Sequence, residues 1–194
     1  MAHTSSVLSF MIENLNKPIM VTGSQPPIRE TRIDGVQNLL TSIEIAVAKI
    51  LNKTVIPEVC IFFRNKLVRG CRTVKISTSN YEAFQSPNFI ELGTADEHIV
   101  INENFIRQGS SQAQHITNAY SPKVMFLKVA PGMDFELLEN IVTSDKPEGI
   151  IQLTNATDNA PGSKGFLTAI DKSIKKGKIV VNFTQFISSQ VELG

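Results

Sequence analysis

The stretch from Lys17 to Leu40, KPIMVTGSQPPIRETRIDGVQNLL, constrains the fold more than any other part of this chain. A short apolar run, Ile19 to Val21, is followed by Thr22-Gly23-Ser24-Gln25, a polar loop, and Asp34-Gly35 before an amphipathic segment. In an open α/β sheet, ligands bind beyond the carboxyl ends of strands, where small residues let the backbone approach closely. The pattern predicts a strand, a small-residue turn and a capped helix that form one wall of a binding crevice.

The first half of the chain alternates between helical and strand-like patterns. Thr4 to Asn14 repeats apolar residues at helical spacing, and Val59 to Phe63 is a continuous apolar run of strand length. Between them, Asp34 precedes a helix with one continuous apolar stripe, made of Val36, Leu39, Leu40, Ile43, Val47, Ile50 and Leu51. An α-β-α-β order is typical of a mostly parallel sheet covered by helices.

The second half repeats this alternation after a polar, aperiodic stretch, QGSSQAQHITNAYS, at residues 108–121. We expect an α/β fold in two domains. The larger domain, residues 1–107, contains the mostly parallel sheet; residues 108–121 form a linker; residues 122–194 form a smaller β-α-β-α-β domain.

Composition excludes several classes of partner. The formal net charge is +1, from 19 basic and 18 acidic residues, and no block of like charge occurs. Nucleic acids and anionic membranes both select concentrated basic patches, so neither is an expected partner. No run has the length of a membrane span, and the start of the chain lacks the regions of a signal peptide. Two cysteines do not make a disulfide framework, which favours a cytoplasmic protein.

Motifs that bind cofactors are absent from the sequence. It contains no Gly-rich phosphate loop, no dinucleotide fingerprint, no nucleophile elbow and no Cys/His metal spacing. His3, His98 and His115 are far apart. We therefore expect neither a cofactor nor a metal.

Lys75 is the first candidate for chemistry, in the segment Arg69 to Lys75 after a predicted hairpin. A lysine accepts a proton only when burial or cationic neighbours lower its pKa, and Arg72 could act in this way. A solvated lysine is the alternative. Thr73 could be a nucleophile only beside a base, and spacing assigns none.

Two polar segments are further candidates. Asp34 and Asn38 either support a site or only cap a helix and close a turn. The loop at residues 154–162, TNATDNAPG, contains Asn159 and follows a predicted strand of the second domain. Such a loop binds a small polar ligand or simply turns the chain, and both readings stay open.

An ordered series of short blocks resembles the cytosolic, type I L-asparaginases, and the resemblance spans essentially the whole chain. The blocks are Ala2–Asn16, Thr22-Gly23-Ser24-Gln25, Asp34-Gly35, Asn38-Leu39-Leu40, Pro57-Glu58-Val59, Phe62-Phe63, Arg69-Gly70, Arg72-Thr73, Lys75, Ala83-Phe84, Ser86-Pro87-Asn88, Pro131-Gly132, Asn159-Ala160-Pro161 and Val180-Val181-Asn182.

The resemblance implies a hydrolase that converts L-asparagine and water to L-aspartate and ammonia through a threonine nucleophile. It also implies two α/β domains and a homo-oligomer, dimer or tetramer. Lys75 matches the family's catalytic lysine, which shares protons with a threonine and an aspartate. Ser24, in the turn with Gly23, falls where the family places a backbone carbonyl against the substrate amide.

The sequence also departs from the family. The nucleophilic threonine, and the threonine–aspartate pair that partners the lysine, lie upstream of the position that matches Met1. The match also stops inside the smaller domain at Gly194, so the resemblance implies a chain truncated at both ends relative to the family. Glycines are common in the family where Ala156 and Asp158 stand. We therefore expect this chain alone to fold poorly and to show no detectable asparagine hydrolysis. The alternatives are a non-catalytic truncated homologue that pairs with a full-length subunit, and a small-molecule-binding α/β protein. Glutamine is an alternative substrate, because discrimination by one methylene is modest.

Overall fold

The computed structural model describes residues 1–27, 33–50, 53–54, 56–155 and 160–188. Contacts divide the chain into two compact units, Met1–Asn118 and Ala119–Gly194. The division falls within residues 108–121, the segment expected to be a linker. Each unit is described by itself below.

The first unit contains two α-helices and eleven short strands among its described residues. The helices are α1 (Ala2–Met11) and α2 (Gly35–Val47); the strands are β1 (Ile12–Glu13), β2 (Ile19–Val21), β3 (Lys49–Ile50), β4 (Lys53–Thr54), β5 (Val59–Phe63), β6 (Lys66–Arg69), β7 (Val74–Lys75), β8 (Phe84–Gln85), β9 (Gly93–Ala95), β10 (Ile99–Ile101) and β11 (His115–Ile116).

The main sheet of this unit has the strand order β10-β9-β6-β5-β2. Only β2 and β5 are parallel; the other three neighbouring pairs are antiparallel. The α/β class is confirmed, but a mostly parallel sheet is wrong for the described strands of this unit. The reason is the hairpin between β5 and β6, where Arg64 and Asn65 have positive φ angles of 41° and 62°. Two successive positive φ angles make the tight turn that reverses a chain.

Strand β5 is the centre of the first unit, and all five of its residues are buried. Successive side chains of a strand point to opposite faces. Cys60 and Phe62 accordingly pack in a cluster with Ile45 of α2, whereas Ile61 and Phe63 belong to a second cluster, against which Met1 and Ala2 of the α1 region pack. The two helices therefore cover opposite faces of β5, which explains why its sequence is continuously apolar.

The second unit has the predicted β-α-β-α-β order. Its elements are β12 (Val124–Lys128), α3 (Phe135–Val142), β13 (Gly149–Thr154), α4 (Lys164–Lys175) and β14 (Ile179–Thr184). The three strands form a parallel sheet in the order β12-β13-β14. Asp134 and Ser163 cap the two helices through their side chains, and the helices share one buried cluster that includes Leu138, Phe166 and Ile150.

Among the described residues, no helix has the length and apolar character needed to cross a membrane.

Candidate active site

The turn after β2 lies at the edge of the sheet where the sequence predicted a crevice. Because β2 and β5 are parallel, their carboxyl ends share this edge. The Thr22 hydroxyl donates a hydrogen bond of 2.8 Å to the Phe62 carbonyl, which ties the end of β2 to the end of β5. The Gly23-Ser24 turn therefore begins from a fixed position.

The Asp34 carboxylate holds the turn rather than the helix that it precedes. Its Oδ1 atom accepts the Gln25 backbone N–H at 3.0 Å and lies 2.8 Å from the Ser24 hydroxyl. Asp34 occupies the N-cap position of α2, but its side chain makes no capping hydrogen bond to that helix. The capping interpretation of the sequence is thus correct in position only, and the side chain fixes the shape of the turn instead.

Asn38 joins the turn, the helix and the β5–β6 hairpin. Its side chain is 2% exposed, and its amide nitrogen donates to the Gly23 carbonyl at 2.9 Å and to Asp34 Oδ2 at 3.1 Å. Its amide oxygen accepts the Arg64 backbone N–H at 3.0 Å. The side chain of Asn38 thus uses both donor hydrogens and an acceptor site, and the Gly23 carbonyl is oriented by it.

Gly35 allows the helix to approach the turn closely. A Cβ atom at this position would lie 2.8 Å from the Ser24 Cβ atom, closer than carbon atoms can pack. The pair Asp34-Gly35 therefore serves two purposes, since the first residue binds the turn and the second leaves room for it.

Lys75 lies on β7, which pairs with β8 so that Lys75 is opposite Phe84. The side chain is exposed, and its Nζ atom is 5.7 Å from the centre of the Phe84 ring. Phe84 packs against the same buried cluster as Val21 of β2. In addition, the Gln25 side-chain amide donates to the Thr78 carbonyl at 2.6 Å. Two contacts therefore link the region of Lys75 to the region of the Gly23-Ser24 turn: Phe84 and Val21 share a buried cluster, and Gln25 bonds the Thr78 carbonyl.

The remaining predicted site residues lie elsewhere. Thr73 is buried, and its hydroxyl donates to the Arg69 carbonyl at 2.7 Å. Arg72 is exposed, with its guanidinium carbon 5.9 Å from the centre of the Phe89 ring. Asn159 lies outside the described residues. The structure thus brings Gly23, Ser24, Asp34 and Asn38 into one hydrogen-bonded network, and this network includes none of Lys75, Thr73 and Arg72.

Sequence reasoning did not single out Gln25, Phe84 or Met1 as neighbours of the site. Met1 reaches the turn from α1: a Cβ atom added to Gly23 would lie 3.1 Å from the Met1 sulfur atom. The Gln25 contact joins residues that are 53 positions apart. Spacing along the chain carries no signal for such contacts, because the sheet creates them.

Two of the cavities that described residues of the first unit line bear on the site. One of about 390 Å³ opens beside the network and is lined by Ile33, Asp34, Gln37, Asn38, Arg64, Asn65 and Tyr81. A cavity of about 440 Å³ lies near the amino end of β5, around Glu58 and Arg69. Ligands of open α/β sheets bind at the carboxyl ends of the strands, so the first cavity is the candidate site although the second is larger.

The side chains around the second cavity are engaged with one another. Arg69 donates to both Glu58 carboxylate oxygens, at 2.5 and 2.9 Å, and to the Phe105 carbonyl at 2.7 Å. Glu58 also accepts the Arg107 backbone N–H at 2.7 Å. This buried ion pair joins the residue before β5, the last residue of β6 and residues 105–107, which is a structural role.

The first cavity has the chemistry of a site for a small polar molecule. Amide side chains, a carboxylate and the Arg64 guanidinium surround it, and these groups hydrogen-bond amides and carboxylates. Within the described part of the chain, no three His, Cys, Asp or Glu side chains stand together as metal ligands. The fold and the candidate site together describe an α/β protein with a polar crevice at the carboxyl edge of its main sheet.

The chain belongs to the asparaginase family. A family model described as the N-terminal domain of asparaginase matches residues 1–107, which is more than half of the 194 residues. This assignment agrees with the α/β architecture and with the resemblance in the sequence.

Individual relatives extend the similarity to the whole chain. L-asparaginase 1 of Escherichia coli is 36% identical over 195 residues, which cover 100% of this chain and 56% of the relative. The 60 kDa lysophospholipase of Mus musculus is 34% identical over 98% of this chain and 33% of its own length. The crystal structure of L-asparaginase I from Vibrio cholerae matches with a TM-score of 0.89 and 34% identity, over 100% of this chain and 57% of that chain. The chain therefore spans between a third and about half of these relatives.

Proposed function

We propose that this chain is part of an amidohydrolase that converts L-asparagine and water to L-aspartate and ammonia. The observation that carries the proposal is the 36% identity to an L-asparaginase along the entire chain. The Gly23-Ser24 turn supports it, because hydrogen bonds from Asn38, and to Asp34, hold this turn at the carboxyl edge of the sheet.

In the proposed reaction, a threonine hydroxyl supplied from outside residues 1–194 attacks the side-chain amide carbon of asparagine. The carbon–nitrogen bond breaks, the nitrogen leaves as ammonia after it gains a proton, and water then hydrolyses the acyl-enzyme. The proposed role of Lys75 is proton transfer with the nucleophile, and the Gly23-Ser24 backbone positions the substrate. Asp34 and Asn38 keep the turn in shape, and Arg72, Thr73 and Asn159 are proposed as further support of the site.

The other parts of the proposal follow from the sequence and the family. The proposed protein works in the cytoplasm as a homo-oligomer on a small-molecule substrate, without a cofactor, a nucleic acid or a membrane. A net charge of +1 supports the absence of an anionic partner.

The proposal is tested with two proteins: this chain, and a chimera that adds the upstream segment of the E. coli relative. We expect ammonia release from L-asparagine by the chimera and none by the chain, since removal of a nucleophile abolishes nearly all acceleration. Lys75→Met in the chimera should lower kcat by ~100-fold or more, the usual contribution of a proton-transferring group. Lys17→Met, at an exposed lysine before β2, is the matched control and should leave kcat unchanged.

Calorimetry with L-aspartate separates the proposal from its alternatives. Binding by the chimera that depends on the Gly23-Ser24 turn, with hydrolysis that depends on Lys75, supports the amidohydrolase. Binding without hydrolysis would favour the small-molecule-binding protein instead. A chain that binds no aspartate but co-purifies with a full-length asparaginase subunit would favour the non-catalytic homologue.

A further inference from the structure

The Phe84 ring lies beside the Lys75 ammonium group. The two residues are opposite each other in the antiparallel pair of β7 and β8, and side chains that face each other across such a pair are close enough to interact. The Lys75 Nζ atom lies over the Phe84 ring, 5.7 Å from its centre, which is within the ~6 Å at which an aromatic face attracts a cation. This contact distinguishes Lys75 from the other lysines whose side chains the structure describes, because none of them lies over an aromatic ring.

Phe84 is itself held in place by the core of the first unit. Its ring contacts the Phe63 ring edge to face, with the ring centres 5.1 Å apart and an angle of 66° between the planes, and it packs against the buried cluster to which Phe63 belongs. The Ile76 backbone N–H donates to the Ala83 carbonyl at 2.9 Å, which extends the pairing of the two strands. The ring is therefore fixed, whereas the Lys75 side chain is exposed and has a flexible four-carbon stem.

The ring orients the ammonium group without neutralising its charge. Among the described residues, none forms a hydrogen bond or an ion pair with Lys75 Nζ. A carboxylate in this place would stabilise the charged form of the lysine and oppose the loss of its proton. An aromatic ring at an exposed site attracts the cation more weakly and favours the held side chain over the free one by a factor of ~2–5. Such a contact is therefore compatible with proton transfer.

The same ring relates Lys75 to the candidate site. Phe84 and Val21, the last residue of β2, pack against one buried cluster. Strand β2 leads directly into the Gly23-Ser24 turn. A ring that is fixed on this cluster thus sets the position of the lysine relative to the strand that carries the turn.

We propose that Phe84 is a positioning residue for Lys75, and that its ring holds the ammonium group in the place from which it transfers a proton. The inference rests on the proposed function, in which Lys75 exchanges a proton with the nucleophile. Phe84 acts through Lys75 and not on the substrate, so its loss should lower kcat and leave the KM for L-asparagine unchanged. The contact and its catalytic effect are measured in separate experiments.

The first experiment detects the contact in this chain without catalysis. Reductive dimethylation of the lysines with isotopically labelled formaldehyde keeps their charge and adds methyl groups that are visible in proton–carbon NMR spectra. Methyl groups above an aromatic ring resonate upfield, so the Lys75 signal, identified by its loss in Lys75→Arg, should lie upfield of the other lysine signals. It should move to their position in Phe84→Leu and stay displaced in Phe84→Tyr, because tyrosine also attracts cations.

The second experiment measures the catalytic effect in the chimera with the upstream segment of the E. coli relative. Phe84→Leu should lower kcat by ~10-fold and change KM by less than ~2-fold, since the misplacement of a reacting group by about 1 Å costs up to ~100-fold in rate. Phe84→Tyr should retain the wild-type kcat. Val68→Ala, at a residue that is 3% exposed in the same cluster, is the matched control. It loosens the packing but keeps the ring, so it should leave both kcat and the Lys75 signal unchanged.

The two experiments together decide the proposal. It is supported by a displaced Lys75 signal that requires the ring, together with a loss of kcat that tyrosine restores. It is overturned if Phe84→Leu leaves the Lys75 signal or kcat unchanged, if the loss appears in KM instead of kcat, or if Val68→Ala has the same effects as Phe84→Leu. A chimera that hydrolyses no asparagine would contradict the proposed function, and the Lys75 signals alone would then support or overturn the contact.

Discussion

Among single residues, Asn38 has the largest share in holding the candidate site together. Its side chain bonds the Gly23 carbonyl, Asp34 and the Arg64 N–H from a buried position. Asn38→Ala leaves those groups without their partner, and each unsatisfied buried group costs ~1–3 kcal/mol. We expect the free energy of unfolding to fall by ~2–4 kcal/mol in urea titrations, even though alanine is the better helix former.

Gln37→Ala is the matched control for this substitution. Gln37 lies next to Asn38 on the same helix, is exposed, and donates only to the Thr41 hydroxyl at 3.1 Å among the contacts of the described residues. The free energy of unfolding should change by less than ~0.5 kcal/mol. Equal losses in the two variants would mean that the Asn38 network contributes nothing specific.

Cys60 makes stability depend on pH at alkaline values. Burial raises the pKa of this thiol above its ordinary value of 9.0. The unfolded chain therefore releases the proton above pH 9 while the folded chain keeps it, so this contribution to stability is complete below pH 9 and is lost as pH rises. Between pH 8 and pH 10, the wild type should lose ~1.4 kcal/mol more than Cys60→Ala. Urea titrations of both proteins at each pH measure the difference.

A thiol reagent gives an independent check of the same burial. Cys71 is half-buried and Cys60 is 0% exposed, so one thiol should react in the folded chain and two in urea. Rapid reaction of both thiols under native conditions would contradict the shielding of Cys60.

At the level of elements, Gly70, which directly follows β6, sets how closely α1 packs against the carboxyl end of that strand. A Cβ atom at Gly70 would lie 2.9 Å from both the Ser5 Cβ atom and the Val59 carbonyl oxygen. Because one of these neighbours is backbone, Gly70→Ala must displace the helix, which costs ~1–3 kcal/mol. Gly162→Ala is the control, since no atom of the described residues lies within 4 Å of its added methyl group. Thermal unfolding of the two variants should show a lower Tm for Gly70→Ala only.

The elements also show what a sequence reveals and what it hides. The run Val59–Phe63 predicted a buried strand, and β5 has these limits because both of its faces are covered. The helix expected to reach Asn14 instead ends at Met11, since Ile12 and Glu13 pair with β11 from residues 115–116. Such a pairing is a property of the folded chain and overrides local helix propensity.

The candidate site likewise has features that the sequence reveals and features that it hides. The turn at Gly23 and the helix start at Asp34 were visible because small and capping residues mark them. The hydrogen bonds of Asn38 to Gly23 and to Arg64 were not visible in the sequence, because they join segments that only the sheet brings together. The same bonds turn the apolar stripe of α2 outward, against the expectation from periodicity. The roles of Lys75 and Ser24 in catalysis stay predictions.

In the whole molecule, the sheet of the second unit has one covered and one open face. The open face carries Val124, Phe126, Ile151, Leu153, Ile179, Val181 and Phe183, of which five are exposed and two half-buried. Parallel sheets almost always have both faces covered. The isolated chain should therefore bind an apolar dye strongly, and Phe126→Ser should reduce the fluorescence while it changes stability by less than ~1 kcal/mol. Unchanged dye binding in this variant would show that the face is not open in solution.

The division into two units predicts that damage to one unit leaves the other intact. Phe166 is 1% exposed in the cluster beneath α3 and α4, and Phe166→Ala should cost ~3–5 kcal/mol through the cavity that it leaves. Local opening follows cooperative units of structure, so amide hydrogen exchange should accelerate in β12, β13 and β14 and stay at wild-type rates in β5 and β6. Mass spectrometry of peptides after exchange measures both regions in one sample. If β5 instead loses its protection together with β13, the chain unfolds as a single cooperative unit.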